Sequence, residues 1–420
     1  VPNQLRIADV SHSATFGRVR FVFDTDTKTD SSGAAVVAAD LFGRGLHALA
    51  RNYFRTRNLT GGIAALCDDD AFLRALRRLA DDIYTSVLER TGQPFVIDAS
   101  PSNGEVVELI RAVYPEATIG STALSDDAAP SATFHVSVAH VGDEHAESRL
   151  VAPIFVVGVP RSGTTWVEHM LRAHPAIGGP ASETVIFVAL QPLRANVARA
   201  DGLGQWISQE RAVAAMRTFV GGLFAGFLRE HAPHATRFLE KTPLHCEHLA
   251  LINEVFPDAA IVAVQRDGRD VVRSLLEMEF ATDDVVVAAS RWAELTAAIE
   301  QQVVTLPLAR EERYERLLDN PLDRVEQLMT WLRLDVDDEV RAEIARRASE
   351  RVAQFNTTGE VGSGKWRLLS EREQRAVYRH AGERLVAMGY VDDRALRDAR
   401  RGAAYRAEEV VRGLRRRLRV

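Results

Sequence analysis

Cysteine is nearly absent: among 420 residues only Cys67 and Cys246 occur. Two thiols in unrelated contexts exclude both a disulfide framework and a cysteine-based zinc cluster. Long apolar runs are missing too. The longest resemble residues 154–159 (IFVVGV), far short of the roughly 20 apolar residues a bilayer helix needs, so no membrane span is expected. Neither sign of charge dominates: 52 Lys+Arg against 58 Asp+Glu leave a net charge of -6. That speaks against generic polyanion binding, nucleic acid included, while leaving room for a local basic site. Residues 1–20 lack the apolar core of a secretory signal, so a cytoplasmic location is expected. The chain begins at Val1 rather than Met, as a truncated or processed product would. What is present is ordinary globular composition, 46% hydrophobic and 26% charged, with length for two or three domains.

Residues 19–24 (VRFVFD) read as a strand. Residues 70–92 read as an amphipathic helix, with Phe72, Leu73, Leu76, Leu79, Ile83 and Val87 at helical spacing. Asp68, Asp69 and Asp70 supply its N-cap and a charge suited to the positive helix end. Residues 120–150, rich in Ser, Ala, Asp and His, read as a boundary region with one alternating strand at 133–140. From Ile154 the pattern changes to a buried strand, a Pro/Gly/Ser turn and a helical run at 166–174. A second buried strand at 260–264 is followed by a loop and a helix from Asp270. Apolar strands alternating with helices predict an α/β fold, a parallel sheet flanked by helices.

Residues 96–119 and 238–261 match without gaps at an offset of 142. Pro101 pairs with Pro243, Glu105 with Glu247, Leu109 and Ile110 with Leu251 and Ile252, and Pro115 with Pro257. A fixed offset carrying two prolines reads as a duplication. The chemistry is not duplicated, since Lys241 pairs with Ala99. The expected organisation is a degenerate α/β repeat copy in 1–147, a working domain in 148–393 and an Arg-rich C-terminal helix in 394–420, packed as a solvated amphipathic helix.

The sharpest local signal is Gly158-Val-Pro-Arg-Ser-Gly163-Thr-Thr165-Trp166, set between a predicted strand and a predicted helix. Backbone N–H groups in such a loop, together with the positive helix end, bind an anion. Gly163 admits close approach, Ser162, Thr164 and Thr165 add hydroxyls, and Arg161 adds a fork suited to phosphate or sulfate oxygens. The loop is P-loop-like but departs from GxxxxGK[ST]: Thr164 stands where a triphosphatase carries Lys. A second loop, Val264-Gln-Arg266-Asp-Gly268-Arg269-Asp270-Val-Val-Arg273-Ser274, follows the second buried strand. The plainer alternative for this segment is a solvated, self-paired Arg/Asp turn. Two anion loops on neighbouring strands suit one ligand with anionic groups at both ends.

With both loops in view, residues 150–392 resemble the sulfotransferases that use 3′-phosphoadenosine 5′-phosphosulfate (PAPS). The branch that includes tyrosylprotein sulfotransferases and many bacterial relatives fits best. The resemblance implies that Arg161, Ser162, Gly163, Thr164 and Thr165 grip the 5′-phosphosulfate, and that Arg266 and Ser274 grip the 3′-phosphate. It implies that Glu183 (in SETVIF) is the catalytic base and that Lys241 (in EKTP) contacts the transferring sulfuryl group. Tyr314, in a YExL segment, and Lys365 and Trp366, in GSGKW, match segments near the nucleotide. Many cytosolic members have Lys where Arg161 stands and a His base; Arg161 and Glu183 point to the other branch.

The expected chemistry is in-line sulfuryl transfer to an acceptor hydroxyl, without a metal, where positioning and electrostatics dominate. Arg161 and Lys241 stabilise charge on the leaving phosphate, and Glu183 takes the hydroxyl proton. His174 and His245 are alternative bases, His174 reading as structural. For Lys241 the bland alternative is a surface salt bridge with Glu240; for Trp366, core packing rather than adenine stacking. The acceptor can be a small molecule, a glycan or a peptide, with residues 184–235 expected to line its pocket. The rival readings are a nucleotide-dependent kinase-like transferase and an inactive nucleotide-binding scaffold.

Overall fold

The computed structural model describes residues 18–21, 35–37, 41–57, 61–91, 95–98, 109, 112–114, 151–278, 282–350 and 363–401. Its strands are β1 (Arg18–Phe21), β2 (Ala35–Val37), β3 (Phe95–Asp98), β4 (Val151–Gly158), β5 (Ile177–Gly178), β6 (Arg237–Lys241), β7 (Ala260–Gln265) and β8 (Ala309–Arg313). They form a three-stranded sheet in the order β1-β3-β2 and a five-stranded sheet in the order β5-β6-β4-β7-β8. β1 and β2 both run parallel to β3. β4 pairs parallel with β7, from Ile154↔Ala260 to Gly158↔Val264, and β7 with β8, from Ile261↔Ala309 to Gln265↔Arg313. The fold class is thus the α/β class expected. The central runs IFVV and AIVAV are wholly buried, as parallel strands covered on both faces require. The terminal strands differ: β5 has two residues, and β8 reads AREER. Short length and charge both discourage edge-to-edge association.

The chain divides into two compact units: Val1–Pro153 with Gly178–Glu240 and Ala250–Pro257, and Ile154–Ile177 with Lys241–Leu249 and Asp258–Val420. In the first, α1 (His47–Thr56) and α2 (Asp69–Thr91) precede β3. The Asp68 carboxylate accepts the Ala71 N–H at 2.7 Å, the expected N-cap. Phe72, Leu76, Leu79, Ile83 and Val87 are buried as their spacing predicts, while Leu73 is only half-buried. α2 packs along a later helix, Gln209–His231, and Glu89 pairs with Arg211. That later helix is long and apolar enough to cross a bilayer by length and composition, yet half of its most apolar window is buried. Its inward side chains form the core of the unit: Phe224 stacks on Phe238 with ring centres 3.8 Å apart, and Phe256 lies beyond at 6.1 Å.

A 23-residue helix precedes β3 and a 23-residue helix precedes β6, their bounds 140 residues apart against the offset of 142 between the matched segments. The remainder of the first copy, the predicted strand at 133–140 and residues 402–420 lie outside the described residues. The strand expected at 19–24 is seen at Arg18–Phe21, with 22–24 outside them. Of the Arg-rich C-terminus, Asp393–Arg401 is helical.

In the second unit, β4 leads into α3 (Thr164–Leu171), and β7 into the helix Gly268–Leu276. Val285–Val303 follows, capped by Asp284, whose carboxylate accepts the Val286 N–H at 2.7 Å. Further on, Ser370 and Glu373 form a capping box at Glu371–His380. Phe224→Ala should cost about 3–5 kcal/mol by opening a cavity between Phe238 and Phe256; urea denaturation of the full chain measures it.

Candidate active site

The loop after β4 is built for close approach. Ser162 N–H closes a tight turn on the Val159 carbonyl at 3.0 Å. Arg161 takes left-handed backbone (φ 75°) and Gly163 also has positive φ (101°). A Cβ at Gly163 would overlap the Tyr314 ring, so glycine answers both a conformational and a steric demand there. Non-glycine residues in the left-handed region carry strain, and such strain gathers at ligand sites. The Ser162 hydroxyl is buried and has no hydrogen-bond partner among the described residues. A buried hydroxyl of that kind, beside the first turn of α3, has the chemistry an anionic oxygen needs.

The loop after β7 meets it. Arg161 Nε donates to Ser274 Oγ at 3.0 Å, and Arg266 Nη1 donates to the Arg161 carbonyl at 3.0 Å. The Arg266 guanidinium also sits 4.8 Å from the centre of the Tyr314 ring, which meets Trp166 edge-on. Burial pushes the Tyr314 phenol above its ordinary pKa. Arg161, Gly163, Arg266, Ser274 and Tyr314 therefore form one cluster. Arg161 is turned toward Ser274 through its Nε.

The rest of the second loop is self-supporting. The Asp267 carboxylate caps the following helix by accepting the Arg269 N–H at 2.9 Å, and its own N–H donates to Glu315 Oε1 at 2.9 Å. Arg269 forks onto Asp267, with Nη2 to Oδ2 at 2.6 Å, and donates to the Tyr378 hydroxyl at 3.1 Å. Arg273 pairs with Glu277 at 2.8 Å. The self-paired Arg/Asp turn thus describes Arg269, while Arg266 and Ser274 face the first loop.

Asp270 does something the sequence reading missed. It is buried, and its two oxygens accept the N–H groups of Gly364 (2.7 Å) and Trp366 (2.8 Å). One carboxylate thereby ties the Lys365–Leu368 turn to the second anion loop. Trp366 is half-buried, with Arg269 at 4.2 Å and Arg367 at 4.9 Å from its ring centre; Lys365 is half-buried beside it. The available clue was an acidic residue in the first helical turn next to the arginines, read there only as a charge partner.

Lys241 is no surface residue. It is 6% exposed, and its ammonium lies 3.7 Å from Glu168 Oε2. Glu168 sits on α3, and its other oxygen accepts Arg172 Nε and Nη2 at 3.1 and 3.0 Å. Burying an ammonium is costly without an opposite charge beside it. His174 has the structural role expected of it: Nδ1 accepts the Ala176 N–H at 3.1 Å, so Nε2 carries the proton toward the Asp335 carbonyl at 2.9 Å. His245 is fully buried, 6.4 Å from the Phe155 ring.

Glu183 belongs to the other compact unit. Its side chain is exposed and its carbonyl accepts the Gly62 N–H at 2.7 Å. Next to it, Thr184 is buried and donates through N–H (3.3 Å) and hydroxyl (2.8 Å) to Glu240 Oε1. Sequence reasoning gave Glu240 no role beyond a possible partner of Lys241.

Two adjacent parallel strands each end in an arginine-bearing loop, and the two loops are joined side chain to side chain. Residues 153–338 match the model of the Sulfotransferase family. Protein-tyrosine sulfotransferase A of Caenorhabditis elegans is 27% identical over 232 residues, covering 52% of this chain and 59% of that protein. Nodulation protein NoeE of Sinorhizobium fredii is 24% identical over 243 residues, covering 50% of this chain and 57% of that protein. The chain thus spans somewhat over half the length of these curated relatives. Among solved structures, sulfotransferase STF9 from Mycobacterium avium aligns with 16% identity and a TM-score of 0.39, covering 58% of this chain and 79% of that one.

Replacing Asp270 by Ala strands two backbone N–H groups. The expected cost is about 2–3 kcal/mol of stability, with faster hydrogen–deuterium exchange across residues 363–369, read by mass spectrometry.

Proposed function

We propose that this chain transfers a sulfuryl group from PAPS to the hydroxyl of an acceptor. The observation that carries the reading is the joining of the two anion loops through Arg161, Ser274 and Arg266. One bisphosphorylated adenosine donor is the ligand that asks for both loops at once. The buried Ser162 hydroxyl and the glycine cradle under Tyr314 fit an anionic group at the first loop. When bound, the donor supplies an activated sulfuryl group on a phosphate leaving group.

The residues then divide the work. Ser162, Thr164, Thr165 and the N–H groups of the first loop hold the 5′ end. Arg266 and Ser274 hold the 3′-phosphate. Lys241, set beside Glu168, faces the charge that builds on the leaving oxygen, joined by Arg161. Such preorganised cations serve a loose transition state because they need no reorganisation during reaction. Glu183, exposed at its side chain, takes the acceptor's proton. Trp366 and Lys365, tied down by Asp270, close on the nucleotide. Metal assistance has no part in this reading, so turnover should survive EDTA.

Glu183→Gln should lower kcat by about 10²–10⁴-fold, the range for losing a general base, without changing affinity for adenosine 3′,5′-bisphosphate. Lys241→Ala should lower kcat by about 10²–10³-fold. Arg266→Ala should weaken adenosine 3′,5′-bisphosphate binding by about 10- to 100-fold, measured by calorimetry. Transfer of ³⁵S from labelled PAPS to a hydroxyl acceptor panel, with EDTA present, reads the activity. Undiminished transfer by either of the first two variants would refute the site assignment.

A further inference from the structure

The segment carrying Glu183 is gripped from two sides, and neither grip belongs to the nucleotide loops. On one side stands Glu240. Its side chain is wholly buried (0% exposed), a placement that is costly for a carboxylate unless its oxygens are well satisfied. Oε1 takes both donors of Thr184, N–H at 3.3 Å and hydroxyl at 2.8 Å. The Thr184 hydroxyl in turn accepts the Ile186 N–H at 3.4 Å, at the first residue of the helix Ile186–Ala198.

On the other side stands the N-terminal segment. Gly62 N–H donates to the Glu183 carbonyl at 2.7 Å. Gly62 adopts φ 77°, and a Cβ there would overlap Thr56. The turn that presents this N–H is itself anchored: Ile63 N–H donates to Asn52 Oδ1 at 3.0 Å, and Thr56 Oγ1 to the Asn52 carbonyl at 2.8 Å, both on α1. Further along, a Cβ on Gly45 would lie 2.9 Å from Leu193 Cδ1 of Ile186–Ala198, so the N-terminal helices seat that helix as well.

Between the two grips the backbone is held where it would not rest unaided. Val185 has φ 50°, a left-handed conformation that a β-branched residue pays roughly 1–2 kcal/mol to adopt. Strain of this kind persists only where the surroundings over-determine it. Gly62 and Glu240 hold the two residues just before Val185, and Glu183, with its exposed side chain, is one of them.

We propose that Gly62 and Glu240 are positioning residues that clamp the Glu183–Val185 segment, and that the N-terminal segment serves the reaction by supplying one jaw of the clamp. The inference rests on the reading of Glu183 as the base and extends it to residues that touch neither substrate nor donor.

The test uses the full chain with Gly62→Ala, Glu240→Ala, Glu240→Gln and Thr184→Val. Three readouts are taken: hydrogen–deuterium exchange over residues 183–190, calorimetric affinity for adenosine 3′,5′-bisphosphate, and kcat with labelled PAPS. Gly62→Ala, Glu240→Ala and Thr184→Val should each speed exchange over 183–190 and lower kcat by about 10- to 100-fold, the penalty of a misplaced catalytic group. Affinity for the bisphosphate should stay within about twofold of the parent, because the nucleotide loops are left intact. Glu240→Gln keeps an acceptor oxygen for Thr184 and should restore most of the loss. Where Glu240→Ala does not fold, Thr184→Val carries the same test by removing the hydroxyl alone. Parental exchange and parental kcat in Gly62→Ala and Thr184→Val would overturn the clamp, as would a parallel loss of bisphosphate affinity. Parental turnover by Glu183→Gln, with faster exchange in the clamp variants, would instead strike the assignment of the base.

Discussion

The hydrogen bond from Arg161 to Ser274, backed by the one from Arg266 to the Arg161 carbonyl, is the contact on which the site depends. Both loops leave the sheet from the same end of two paired strands, where Gly158 stands opposite Val264. Parallel pairing makes that possible, because it brings the carboxyl ends of both strands to one edge and with them the starts of both helices. A left-handed Arg161 then presents its carbonyl to one arginine while its side chain reaches a serine 113 residues away. Arg161 thus belongs to one loop and bonds to the other through both its side chain and its carbonyl.

Charge in this region is apportioned rather than merely plentiful. Arg269 is occupied by Asp267 and Tyr378, Arg273 by Glu277 and Arg172 by Glu168. Glu315 spends one oxygen on the Asp267 N–H, and burial holds its carboxyl above the ordinary range. Asp270 spends both oxygens on the Lys365–Leu368 turn. The arginines built into helix starts and ion pairs hold the loop together, whereas Arg161 and Arg266 join it to the first loop through a hydroxyl and a carbonyl. Counting arginines in the second loop overstates its anion-binding capacity; following each to its partner corrects it.

Much of this was legible in the sequence, and the reasons are local. The loops are contiguous stretches whose residue types state their chemistry, and buried strands announce themselves as apolar runs. The helix at Asp69–Thr91 followed from its spacing and its aspartate cap. Long-range fasteners were not legible. Nothing around Glu168 announces that Lys241, 73 residues on, will share its pocket. Nothing around Asp270 announces a turn 94 residues later. A buried acidic residue looks like a surface one until its partner is known, because the same carboxylate can face water or two N–H groups. Gly62 was invisible for a further reason: its importance lies in a backbone N–H, which every residue but proline possesses.

Those fasteners also give the EKTP segment a physical account. Successive residues of a strand point to opposite faces, so Glu240 and Lys241 cannot serve one neighbour. Glu240 turns its oxygen to Thr184, and Lys241 turns its ammonium to Glu168. Both are buried, and burial of either charge is costly without a partner. A surface ion pair between the two would satisfy both charges but would position nothing. Burying them back to back gives the strand two separate contacts, one to the segment of the candidate base and one to Glu168. The dipeptide is therefore better understood as two anchors set one residue apart than as a pair.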